Sequence, residues 1–172
     1  PHSVELSSAR ITMHEDSSCT LSVGCCELGQ GSNTAMAQIA SEAMGVPFHM
    51  IEVNEGDTDI ATFDVGAYAS RQTYVAGTAV KKAGLKIKAI VLDRASEMLH
   101  RDADRLDTYN GYVVDAETLE QLIPIADVAY DCYYNRGKFA DACMMIEANA
   151  SHCPTTQGLT YVCGFAEVEV DM

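Results

Sequence analysis

The sequence is short of positive charge: 11 lysines and arginines stand against 25 aspartates and glutamates, a formal net charge of −14 over 172 residues. That balance argues against a nucleic-acid partner, because phosphate backbones are held by basic patches. An anionic ligand would have to be met by backbone amides instead. Apolar runs of roughly eighteen residues or more are missing, so no membrane-spanning helix is expected. The opening Pro1-His2-Ser3-Val4 lacks the basic and apolar blocks of a secretory signal, and the expectation is a cytoplasmic protein. Cys-x-x-Cys pairs are absent as well. The seven cysteines, at positions 19, 25, 26, 132, 143, 153 and 163, are odd in number, which speaks for buried thiols in a reducing compartment rather than a disulfide framework or a zinc or iron–sulfur site. The histidines show no pair at metal spacing, Asp57 and Asp59 do not complete a calcium loop, and no Gly-x-Ser-x-Gly elbow is present. No internal repeat with a solenoid or propeller period is found.

What is there is an ordinary globular composition, 48% hydrophobic and 21% charged, enough for one domain with a core. Ala9 to Met13 and Thr20 to Val23 are β-prone runs around the turn-rich Glu15-Asp16-Ser17-Ser18 and predict a hairpin. After Gly29-Gln30-Gly31, the spacing of Met36, Ile39, Ala40 and Ala43 predicts a helix with Ser32 and Asn33 as N-cap candidates, ended by Gly45-Val46-Pro47. Met50 to Asn54 reads as a short strand. From Gln72 or Thr73 to about His100 the stripe Ala76, Ala79, Val80, Ala83, Ile87, Ile90, Val91 and Met98 predicts a long helix, with Lys81, Lys82, Lys86 and Lys88 on its wet face. Asn110-Gly111 predicts a second hairpin within Leu106 to Asp115. Ala116 to Ala129 is read as a helix kinked or stopped by Pro124, Lys138 to Glu147 as helical, and Phe165 to Met172 as a strand by its alternation. Strands in pairs alternating with long helices give a two-layer α+β fold, a mixed sheet with long helices on one face.

Two segments could carry chemistry. Glu27-Leu28-Gly29-Gln30-Gly31-Ser32 joins a strand to a helix through two glycines, which let backbone approach a ligand and leave first-turn amides pointing at an anion. A plain tight turn explains the same residues. Gly66-Ala67-Tyr68-Ala69-Ser70-Arg71-Gln72-Thr73 again runs small and hydroxyl residues into a helix. Ser70 and Thr73 serve there either as caps or as a second phosphate contact.

Taken in order and spacing, Glu27-Leu28-Gly29-Gln30-Gly31, Gly56-Asp57-Thr58-Asp59 and Phe63-Asp64-Val65-Gly66-Ala67-Tyr68-Ala69-Ser70-Arg71-Gln72-Thr73-Tyr74-Val75-Ala76-Gly77 resemble the xanthine dehydrogenase and aldehyde oxidase family. The likeness is greatest to the separate molybdenum-binding subunit of its bacterial members. It covers nearly the whole chain, so residues 1–172 are expected to form part of a molybdenum cofactor-binding domain inside a larger subunit. The resemblance implies that Gly29, Gln30, Gly31, Ser70, Gln72 and Thr73 contact molybdopterin, its phosphate or an attached cytosine nucleotide. Ala69 is implied to face the metal. Molybdenum would be held by the dithiolene of its own cofactor, with no protein ligand.

The implied reaction is hydroxylation of a heteroaromatic carbon, as in a purine, with oxygen from water and electrons passed to iron–sulfur and FAD partners. Nicotinate, aldehyde or aromatic acyl-CoA substrates are the alternatives within the family, and a non-catalytic binding module is the alternative outside it. The family's glutamate base is expected beyond Met172, so no catalytic residue is assigned and Glu27 is matched to a structural loop position. The isolated chain is accordingly expected to be inactive and without cofactor, since that cofactor lies between this piece and the remaining lobes of the subunit.

Overall fold

The computed structural model describes residues 5–54, 56–134, 144–156 and 163–171. Its main sheet grows from the predicted hairpin, β1 (Ser7–Met13) and β2 (Cys19–Val23), paired antiparallel from Ala9 opposite Val23 to Met13 opposite Cys19. Period-two burial makes Ser7, Ala9, Ile11 and Met13 the inward face of β1. The strand β3 (Ile51–Asn54) runs parallel to β2. On the far side of β1 lies an antiparallel strand from late in the chain, Ile146–His152, which turns Ile146, Ala148 and Ala150 inward and Glu147, Asn149 and Ser151 outward.

Two helices cover the inward face. α1 (Ser32–Met44) buries Met36, Ala37, Ala40, Ala43 and Met44, and α2 (Gly77–Leu99) buries Ala79, Val80, Ala83, Ile87 and Val91, the stripe the periodicity predicts. The two cross closely because their contact residues are small. A Cβ on Gly84 would lie 2.8 Å from that of Ala43. Lys81, Lys82 and Lys86 are exposed as expected, yet the helix's lysines also clip it to its neighbours. Lys86 Nζ donates to the Asn149 carbonyl at 2.7 Å, Lys82 Nζ meets His152 Nδ1 at 3.2 Å, and Lys88 pairs with Asp107.

A second, three-stranded antiparallel sheet is made of β4 (Leu106–Tyr109), β5 (Tyr112–Asp115) and β6 (Gln121–Pro124). Asn110 and Gly111 both take positive φ, 45° and 86°, as a two-residue hairpin turn demands. The Gly111 amide donates to the Gly45 carbonyl at 2.7 Å, tying this turn to the end of α1. The helix read over Ala116 to Ala129 is corrected here: residues 116–120 form a turn, 121–124 are β6, and α3 spans Ile125–Tyr134. Pro124 ends an edge strand, where a missing N–H costs no ladder bond, and the helix starts only after it. Arg94 of α2 holds α3 through Asp131, donating from Nε at 2.6 Å, while Nη1 meets Glu97 at 2.7 Å.

With α3 placed, Ile146–His152 becomes β7 and completes the order β3-β2-β1-β7. The helix read over Lys138 to Glu147 lies outside the described residues up to 143. Ile146 and Glu147 belong to β7, recruited by pairing with β1 rather than by local propensity. Residues 163–171 are exposed and form no strand, because no neighbouring strand among the described residues takes up their backbone groups.

Candidate functional site

The chain leaves β2 through Gly24, which passes so close under the 62–64 segment that a Cβ there would sit 2.1 Å from the Thr62 carbonyl oxygen. Beyond it, Gly29 and Gly31 adopt φ of 95° and 80°, the left-handed region that disfavours side chains. The loop is held by its own carboxylate. Glu27 Oε1 accepts from the amides of Gly29 at 2.8 Å and Gly31 at 2.9 Å, and Oε2 from the Asn33 amide at 3.1 Å and the Ser32 hydroxyl at 3.2 Å. The amides of Asn33 and Gly31, more than any other contact, hold the Glu27 carboxyl down at about 2 from the usual 4.5.

The expectation of Ser32 or Asn33 as N-cap is corrected by this arrangement. Gly31 stands at the cap position with no side-chain cap bond, and the ionised Glu27, a stronger acceptor than a hydroxyl, takes over the capping from four residues upstream. The amides that the sequence pointed at an external anion are thus engaged within the chain.

The second loop ends in a turn from Tyr68 to Arg71, closed by the Arg71 amide donating to the Tyr68 carbonyl at 3.1 Å. Its two central residues, Ala69 and Ser70, have φ of 49° and 55° although neither is glycine. Left-handed conformation costs a non-glycine residue roughly 1–2 kcal/mol, so something must hold it. Arg71 does. It is 3% exposed, and its guanidinium places five hydrogen bonds: Nε to Glu5 at 2.8 Å, Nη1 to Asp64 at 2.7 Å and the Gly66 carbonyl at 2.8 Å, Nη2 to the Leu6 carbonyl at 3.1 Å and Ser7 Oγ at 2.7 Å. Burial alone would lower its pKa, and the bonds to Asp64 and Glu5 outweigh that and raise it. At its N-terminal end α2 is continued without a break by a π-helical turn, Gln72–Ala76, which makes Gln72 and Thr73 its opening residues and carries no side-chain cap, so Ser70 and Thr73 are not the caps the sequence offered. Both residues are exposed, beside first-turn amides that no preceding turn can satisfy.

The two loops meet. Gln30 Nε2 donates to Gln72 Oε1 at 2.6 Å, and both side chains donate to the Cys26 carbonyl at 3.0 Å. Between them lies an open groove of about 390 Å³, walled by Leu28 and Gln30 on one side and residues 67–73 on the other. Of the residues selected from sequence, Gln30, Ala69, Ser70, Gln72 and Thr73 line it together, whereas Gly29 and Gly31 set the path of the chain beside it. Sequence reasoning gave Glu27 a structural loop position without the contacts that make it one, and it missed the work of Arg71. Acidic residues two positions before a glycine, as in Glu27-Leu28-Gly29 and Asp64-Val65-Gly66, are the signal that could have found such carboxylate-held turns.

Arg71 is the lone cation lining the groove among the described residues, and its charge is taken up by Glu5 and Asp64. An anionic group would therefore be held by neutral donors: the hydroxyls of Ser70 and Thr73 and the amides opening α2, at the positive end of its dipole. The donor set fits a phosphate-bearing, largely polar cofactor presented to one side of the groove.

The model of the molybdopterin cofactor-binding domain matches residues 2–172. Over its full length the chain is 34% identical to the putative xanthine dehydrogenase molybdenum-binding subunit of Escherichia coli, of which it spans 23%. It is also 34% identical over 74% of its length to the carbon monoxide dehydrogenase large chain of Hydrogenophaga pseudoflava, spanning 16% of that protein. Quinoline 2-oxidoreductase from Pseudomonas putida superposes on 90% of the chain with a TM-score of 0.80 at 26% identity, over 20% of its own length. The chain thus spans about a quarter or less of these relatives, and it belongs to the molybdopterin cofactor-binding domain family.

Proposed function

We propose that this chain forms one wall of the molybdopterin site of a xanthine dehydrogenase-like hydroxylase, and that the groove between Gln30 and residues 67–73 is that wall. The observation that carries the reading is the Gln30 to Gln72 bond, which brings two loops remote in sequence to one edge of the fold. Ser70, Thr73 and the first amides of α2 hold the cofactor's phosphate or its cytosine nucleotide extension. Gln30 and Gln72 present polar edges to the pterin, and the Ala69 backbone faces the metal side. When bound, the cofactor supplies the oxygen-transfer and electron-accepting chemistry. The residues of this chain bind and orient it, and no base is assigned among them.

The substrate class that suits the full-length likeness to the xanthine dehydrogenase subunit is a purine-type heterocycle. Iron–sulfur and FAD units accept the electrons, and further lobes of the same subunit close the groove. The test is to purify the enzyme that contains this chain and measure molybdenum and pterin per subunit, then assay hypoxanthine beside nicotine, aldehydes and carbon monoxide. Stoichiometric pterin with preference for hypoxanthine supports the reading. A pterin-free, correctly folded enzyme sinks the site assignment, and preference for another substrate moves the reading to that branch of the family.

A further inference from the structure

Four donors converge on one carboxylate at the start of α1: the amides of Gly29, Gly31 and Asn33 and the hydroxyl of Ser32 all reach Glu27 within 3.2 Å. The same loop carries Gln30, whose side chain crosses to Gln72 and is steadied by the Leu28 amide donating to its Oε1 at 2.5 Å. We propose that Glu27 is a positioning residue of the groove: its carboxylate fixes the Gly29-Gln30-Gly31 backbone so that Gln30 is aimed at Gln72, and it fills the amide cluster of α1 so that an external phosphate is taken at the start of α2 alone.

The two walls of the groove each lead into a helix start, and each start would attract an anion through its unpaired amides. At α1 those amides are satisfied internally, and a phosphate arriving there would meet a fixed negative charge and four donors already committed. At the start of α2 no side chain caps the helix, and among the described residues no carboxylate lines the groove beside Ser70 and Thr73. The division of labour follows: one loop supplies a rigid amide side chain, the other receives the charge. This inference rests on the groove being the cofactor wall, and its test separates the two.

Amide chemical shifts of the 172-residue chain are followed during titration with inorganic phosphate, and pterin content is measured in the intact enzyme carrying Glu27→Ala or Glu27→Gln. In the unaltered chain phosphate is expected to shift the Gln72 and Thr73 amides and leave Gly29, Gly31 and Asn33 still. Glu27→Ala is expected to lower pterin content roughly tenfold at limiting cofactor, the factor that goes with one charge-assisted hydrogen bond. Glu27→Gln, which keeps an acceptor oxygen for Gly29 and Gly31, restores part of it. Phosphate shifts at Gly29, Gly31 and Asn33 in the unaltered chain, or pterin content unchanged or raised in Glu27→Ala, overturn the inference. Should Glu27→Ala not fold, the phosphate titration and Glu27→Gln decide alone. Absence of pterin from the unaltered enzyme would strike the cofactor reading, while the phosphate shifts still judge the clamp.

Discussion

At the scale of single residues, the site depends on groups whose neighbours are backbone. Glu27 is the clearest case, because its depressed pKa makes a statement about acid. A carboxyl lowered in the folded state contributes stability that is complete above its unfolded value of 4.5 and lost as pH falls through about 2. The Glu27→Gln chain is therefore expected to be less stable than the unaltered chain at pH 6, with the difference shrinking between pH 4.5 and 2. Urea denaturation at a series of pH values reads it, and a difference that does not vary with pH refutes it. Gly24 is a second dependence on backbone. A methyl group placed 2.1 Å from the Thr62 carbonyl must push the 62–64 segment off the sheet. Gly24→Ala is expected to cost about 1–3 kcal/mol, measurable as a shifted denaturation midpoint. Neither dependence is visible in composition: Gly29, Gln30 and Gly31 announce a turn, but which atom holds the turn is decided by a carboxylate whose reach only folding defines.

At the scale of elements, α1, α2 and the two hairpins were legible because their apolar residues repeat with the period of their structure, and because Asn110-Gly111 names its own turn. β6 was not. Leu119, Leu122 and Ile123 stand at helical spacing, and only Pro124 signals that the segment stops before a helix begins. β7 was missed for another reason: it is defined by residues 7–13 at the other end of the sequence, and its inward Ala148 and Ala150 give a faint alternation. The π-helical opening of α2 also has no sequence signature. The loop before it is the element on which two experiments bear. Arg71→Met leaves Asp64, whose side chain is 1% exposed, without its buried partner, and is expected to cost about 3–5 kcal/mol by chemical denaturation. An unchanged midpoint would show that the network is decorative. Ala69→Gly relieves a left-handed residue and is expected to gain about 0.5–1 kcal/mol after the added entropy of the unfolded chain. A lowered melting temperature would show that the turn is not strained at this position.

At the scale of the whole molecule, the mixed sheet with α1 and α2 on one face answers the predicted α+β class, and the second sheet hangs from the end of α1 through Gly45 and Gly111. The groove lies at the edge of this body and opens to solvent, with Leu28 70% and Tyr68 44% exposed on its walls. A ligand the size of a pterin nucleotide would be covered on one side only, which loses most of the burial a tight site provides. The 172-residue chain by itself is expected to show no molybdenum-dependent turnover of hypoxanthine and to purify without pterin. Fluorescence of bound pterin at near one equivalent per chain contradicts this.

The residue at the junction of the two loops offers a chemical handle. The Cys26 carbonyl receives Gln30 and Gln72, while Cys26 itself, unlike Cys19, Cys25 and Cys132, is exposed. Burial pushes the Cys19 thiol up to about 12 and that of Cys132 to about 11, so alkylating reagents find little thiolate at either. Labelling kinetics at Cys26, followed by mass spectrometry on the native protein, thus become a reporter seated at the seam of the two loops: an occupant that seals the seam slows the adduct, and a seam that springs apart hastens it.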